Sequence, residues 1–177
     1  AQQYYTGALK IIEPLAAADP ANVRVQRDLS VAYESLGRVS LQAGAIPAAL
    51  EYFRKTLPLR EQLAQAAPEN MQPQRDLATS QHNLGVVSRL TGATTAALEY
   101  HQQALATRQQ LAKKNPQDVN IQRELGTSHH HLGLIRQQRQ AFVAAVESLR
   151  QALVIRQRLA ETSPQLPALQ GDWSATL

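Results

Sequence analysis

Three consecutive histidines, His129, His130 and His131, are the residues of this chain that most suggest metal chemistry. Their spacing argues against it. Successive residues of a helix diverge by about 100°, so three adjacent imidazoles cannot close on one ion. Chelation on a helix wants ligands three or four residues apart. No metal site is expected; a packed, hydrogen-bonded imidazole is expected at His129. His130 and His82 occupy equivalent positions of a sequence repeat, and this pair is a candidate for a pH-dependent ligand contact. A second constellation is ionic. Arg60, Arg108 and Arg156 recur at one fixed interval on an otherwise apolar stripe, and Asp28, Asp76 and Glu124 recur at the same interval. A guanidinium can grip a carboxylate through two hydrogen bonds, so these residues are expected to form ion pairs that fix the register of packed helices. The Gln-Arg dipeptides Gln26–Arg27, Gln74–Arg75 and Gln122–Arg123 are expected to be interhelical or solvated. No catalytic arrangement is visible: the chain has no cysteine, no G-x-S-x-G, no H-E-x-x-H and no phosphate-cradling glycine loop. No enzyme activity and no cofactor are expected.

That interval organises the whole chain. Residues 22–69 return as 70–117 and again as 118–165 without a gap, so the period is 70 − 22 = 118 − 70 = 48. Residues 1–21 align with the second half of a unit, and 166–177 with the start of another. The chain begins and ends inside a repeat, without an initiator Met, and is expected to be part of a longer protein. A fixed period of this length marks an array in which each unit buries its apolar face on its neighbours.

Each unit reads as two helices. The first is expected over about 23–43, capped by Asn22, Asn70 or Asp118, whose short side chains can accept from first-turn amides. Leu29, Ala32, Leu36 and Ser40 recur at helical spacing. Gly44 and Gly92 break the first helix of their units, and Gln140 takes that place in the third. The second helix is expected over about 46–66, with Pro47 in its first turn and Ala49, Phe53, Leu57, Arg60 and Leu63 along one face. Pro20, Pro68, Pro116 and Pro164 end these helices. Pro58, in mid-helix, is expected to kink its helix, as is Pro14. Short turns make neighbouring helices antiparallel.

These residues resemble the tetratricopeptide repeat, a helix–turn–helix unit commonly of about 34 residues. Tyr33, Leu36–Gly37, Ala49, Phe53 and Pro68 fill the family pattern in the first unit. Leu84–Gly85, Ala97 and Ala104 do so in the second, and Leu132–Gly133, Ala145 and Ala152 in the third. Gln81 and His129 replace the first aromatic. The extra length per unit (48 minus 34) amounts to about four helical turns. The resemblance implies an all-α solenoid of antiparallel helix pairs, a right-handed superhelix whose first helices line a concave face. The candidate binding residues on that face are Val31, Glu34, Arg38 and Leu41, then Thr79, His82, Val86 and Arg89, then Thr127, His130, Leu134 and Gln137. The resemblance further implies a protein–protein interaction scaffold, binding a peptide, a partner protein or an adjacent domain, as in bacterial regulators that join such arrays to a signalling or effector domain.

Composition bounds the alternatives. Apolar residues make up 44% of the chain and aromatics 5%, which suits close-packed Ala- and Leu-rich helices. No apolar run approaches the roughly 20 residues that span a bilayer, so no membrane partner is expected. The absence of cysteine fits a cytoplasmic location. The net charge of +4 is spread among interspersed acidic residues, which speaks against nucleic acid as a partner. Self-association through the open repeat ends is the alternative reading.

Overall fold

The computed structural model describes residues 2–162, with side chains from Tyr4 onward. The expected start of a further repeat at 166–177 lies outside the described residues. Those residues form seven α-helices and no strand: α1 (Gln2–Ala18), α2 (Val23–Gln42), α3 (Ile46–Ala66), α4 (Met71–Leu90), α5 (Thr94–Lys114), α6 (Val119–Gln138) and α7 (Phe142–Thr162). The fold is an all-α helical repeat.

Local chemistry sets the helix ends. Asn22 accepts from the Val25 amide at 3.2 Å, Asn70 from Gln72 at 3.1 Å, and Asp118 from both Asn120 and Ile121 at 2.9 and 3.0 Å. Each side chain thereby satisfies amides that the first turn leaves open. At the other end the first helices stop in one recurring motif. The Ala45 amide donates to Ser40 O and Gly44 to Leu41 O; Ala93 and Gly92 repeat this on Ser88 and Arg89, and Ala141 and Gln140 on Arg136 and Gln137. This is a Schellman motif, which needs a left-handed residue. Gly44 and Gly92 supply it at φ 74° and 78°, and Gln140 adopts it at φ 59°. α3 continues through Pro58, and α1 through Pro14.

The chain divides into two compact units, Ala1–Ala93 and Thr94–Leu177. In the first, α1 to α4 pack as antiparallel neighbours. Gln26 Nε2 reaches Ala16 O at 3.1 Å and Tyr33 reaches Glu13 at 2.6 Å; across the next junction Gln74 Nε2 reaches Ala64 O at 2.9 Å. The glutamines of the Gln-Arg dipeptides therefore bond the end of the preceding helix, and Gln122 bonds Pro116 O at 3.2 Å. Leu9, Ala16, Leu29, Ala32, Tyr33 and Leu36 form one core cluster of this unit. Beside it Gly37 admits the fully buried Phe53 ring, since a Cβ on Gly37 would lie 2.5 Å from Phe53 Cε1. In the second unit Ala97, Leu132 and Ile135 pack with Leu98 and Leu105. Gly133 admits Leu149 in the same way, with a Cβ separation of 2.6 Å.

Candidate functional site

The recurring arginines bond onward along the array. Arg60, 2% exposed, donates through one terminal nitrogen to Asp76 O at 2.8 Å and Ser80 Oγ at 3.2 Å, both on α4. Its other terminal nitrogen pairs with the Glu34 carboxylate on α2. Arg108 repeats the onward bonds in the second unit, to Glu124 O at 3.2 Å and Ser128 Oγ at 2.7 Å on α6. The expected Asp28–Arg60 ion pair is therefore not formed. Side chains on a helix lean toward its N-terminus. Arg60 leans back toward the Gly44 turn and meets Glu34, whereas Asp28 leans away from that turn and is exposed. The Asp76 carboxylate accepts from Gln72 Nε2 at 2.8 Å within α4, and its backbone carbonyl takes Arg60. Arg156 is buried on α7 and Glu124 half-buried on α6.

The sequence carries a signal for this onward bond. Ser80 stands at the same offset from Arg60 as Ser128 from Arg108, and at that offset from Ile12 stands Ala32. A hydroxyl occurs where an arginine needs an acceptor, and an alanine where the earlier residue is apolar.

The twelve expected groove residues fall into three states. Val31, Arg38 and Gln137 are exposed. Leu41, Thr79, His82, Val86, Arg89, Thr127 and Leu134 are half-buried, with the Thr79 and Thr127 hydroxyls donating to the carbonyls of Arg75 and Arg123. Glu34 and His130 need correcting. Glu34 is committed to Arg60 and also accepts from Asn83 Nδ2 at 3.4 Å, so it braces α2 against α3 and α4. His130 is buried at 9% exposure, its ring edge-on to His131 at 5.6 Å. The first eight residues lie in the first unit and the last four in the second.

Sequence reasoning misses His101. It occupies the position of Phe53 and is fully buried, and its ring stacks on His131 at 5.1 Å. No group of three or more His, Cys, Asp or Glu among the described residues could hold a metal ion. Burial, and then the Arg136 charge, lower the His129 pKa. Burial and the bond to Glu13 raise that of the Tyr33 phenol. Lys55, raised by its bond to Glu51, lies 5.6 Å over the Tyr33 ring. No helix among the described residues is long and apolar enough to cross a membrane.

Comparisons with known proteins meet this geometry at the repeat. Residues 77–118 match the family model of the tetratricopeptide repeat. The chain is similar to a solved structure of MamA from AMB-1, with 21% identity and a TM-score of 0.45 over 83% of this chain, and it spans 63% of that chain's length. It is also similar to TTC0263, a thermophilic TPR protein in Thermus thermophilus, with 16% identity and a TM-score of 0.42 over 97% of this chain and 90% of that one. No curated protein matches the sequence. Over residues 77–118 the chain is tetratricopeptide-repeat-like.

Proposed function

We propose that this chain is a non-catalytic scaffold that binds a peptide, a partner protein or an adjacent domain through the outward faces of its first helices, as a regulatory or sensing segment. The observation that carries this reading is which residues packing leaves over. On α2 the ion pair and core consume Glu34, Tyr33 and Leu36, while Val31 at 46% exposure and Arg38 remain outside. An exposed aliphatic beside an exposed guanidinium is suited to contact rather than to folding. The test is capture by the full chain against a variant carrying Val31→Asp, Arg38→Glu and Arg89→Glu, all clear of the Arg60 network. A protein retained by the parent, lost by the variant and reproduced as a purified complex supports the reading. Equal retention by both moves binding off this face.

A second reading, self-association through helix ends of the array, is favoured by apolar exposure on α7. Phe142, Val143 and Val146 are 62%, 88% and 65% exposed. Sedimentation of the parent and of Val146→Glu over a hundredfold concentration range tests it. A mass that rises with concentration only in the parent supports association, and a constant monomer in both rejects it.

A further inference from the structure

A cavity of about 240 Å³ opens in the first unit, at the ends of α2, α3 and α4 away from the Gly44 turn. Val23, Leu63, Ala66, Ala67 and Pro73 wall it, and Arg27 and Asp76 supply charge beside them. Its origin is legible in the repeat. At the equivalent positions one repeat later, Ile121 replaces Pro73 and is fully buried, while Lys114 and Asn115 replace Ala66 and Ala67. The first unit builds the same junction from smaller side chains. Protein interiors leave few voids larger than a water molecule. An apolar cavity of roughly 150 Å³ already admits benzene, so this one has room for a phenyl or branched alkyl group.

The polar groups narrow the occupant further. Arg27 is exposed, and its guanidinium makes no hydrogen bond or ion pair among the described residues. The first turn of α4, from Met71, turns the positive end of a 20-residue helix toward the same region. Arg60 and Glu34 neutralise each other. Asp76 is the opposing charge, and Gln72 Nε2 holds one of its oxygens at 2.8 Å. We propose that this cavity binds an apolar group bearing a carboxylate, the hydrocarbon against Leu63, Ala67 and Pro73 and the carboxylate on Arg27. The cavity is lined by none of the twelve expected groove residues, and the Val31, Arg38 and Arg89 variants leave its lining intact, so the two readings are tested separately.

The experiment titrates the full chain, observed by backbone amide NMR, with three probes. They are phenylacetate, its neutral counterpart phenylacetamide, and the peptide Gly-Gly-Phe with a free C-terminus. The expected result is that at least one carboxylate shifts the amides around 63–67 and 71–76, binding about tenfold tighter than phenylacetamide, as one charge-assisted contact provides. Arg27→Gln should abolish that preference, and Asp76→Asn should tighten both acids. Pro73→Ile, copying the second unit, should abolish binding, as should Ala67→Leu, which fills the cavity from the α3 side. Phenylacetate binding tighter than the peptide assigns the site to a free small acid, and the reverse to a chain terminus. Equal binding of phenylacetamide, no shift with any probe, or full binding by both filled variants overturns the proposal.

Discussion

At the scale of single residues, one guanidinium ties three helices of the first unit. Arg60 links α3 to α4 through Asp76 O and Ser80 Oγ, and to α2 through Glu34. Arg60→Met would keep the volume but strand the Glu34 carboxylate, whose side chain is 15% exposed. Removing one partner of such a pair costs about 3 kcal/mol. Glu34→Gln, which leaves a neutral acceptor for the guanidinium, should cost only about 1 kcal/mol. Urea denaturation of both variants checks the ordering, and an equal loss in the two would mean that the Glu34 charge, rather than the onward bonds of Arg60, carries the tie. Sequence alone pairs Arg60 with Asp28 because both recur from repeat to repeat. Recurrence marks a position as structural without saying what touches it, and here the acceptors that Asp76 and Glu124 offer to Arg60 and Arg108 are their backbone carbonyls, which every residue owns. His129 allows a prediction of pH dependence. Burial, and then Arg136, hold its folded pKa below the usual 6.5. The unfolded chain therefore binds the proton more readily, so stability falls as pH drops below about 6.5. His129→Gln, which copies Gln81 one repeat earlier, should leave stability at pH 7.5 nearly unchanged and flatten the decline toward pH 5. Parallel acid limbs for parent and variant in thermal melts would reject this.

At the scale of elements, the helix ends are the most legible feature, because each is set by a short-range rule. The sequence places α3 over about 46–66 and the helix is Ile46–Ala66; it places α2 over about 23–43 and the helix ends at Gln42. A capping Asn or Asp starts the first helices, and a residue with positive φ stops them. The third turn is the ambiguous one, since Gln140 stands where the others have glycine. Backbone bonding explains why it turns the same way: the Ala141 and Gln140 amides close on Arg136 and Gln137 as their equivalents do, and the side chain accepts the left-handed φ. That conformation costs a residue with a Cβ about 1 kcal/mol or more. Gln140→Gly should then raise stability by about 0.5–1 kcal/mol after allowing for the freer unfolded chain. Gly44→Ala should lower it by about 1 kcal/mol, although a Cβ there would meet nothing within 4 Å. Gly37→Ala fails for the opposite reason: its φ is unremarkable, but the Phe53 ring occupies the space. Overpacking of that kind costs about 1–3 kcal/mol. Thermal melts of the three glycine variants check these signs. What the pattern of helices does not reveal is the state of the groove face. Helical spacing places Glu34, His82 and His130 at equivalent positions, yet one is tied to an arginine and another is buried among imidazoles. Periodicity assigns a face, while long-range side-chain bonds decide what remains available on it.

At the scale of the molecule, the first unit contains everything a small helical fold needs. Leu9, Ala16, Leu29, Ala32, Tyr33 and Leu36 of α1 and α2 form a cluster against which Tyr52 and Leu59 of α3 pack, and Phe53 fills the hollow at Gly37. Its polar groups close internally as well: Tyr33 on Glu13, Gln26 on Ala16, Gln74 on Ala64, and Arg60 on Glu34, Asp76 and Ser80. In a repeat array, stability is close to a sum of unit and nearest-neighbour terms, so a segment that retains both should fold without the rest. The segment Ala1–Ala93 is within the size range of independently folding domains. Residues 1–93, ending after the Schellman turn at Gly92, should therefore show a cooperative thermal transition by circular dichroism with the helical content of α1 to α4. Ending the segment at 66 instead removes α4 and with it both onward acceptors of Arg60. That shorter piece should melt at a lower temperature or without a sigmoidal transition. If residues 1–93 melt gradually while the full chain melts sharply, the bonds internal to the unit are insufficient and its order depends on the helices after α4. If residues 1–66 melt as sharply and as high as 1–93, the arginine that joins one repeat to the next contributes nothing to cohesion.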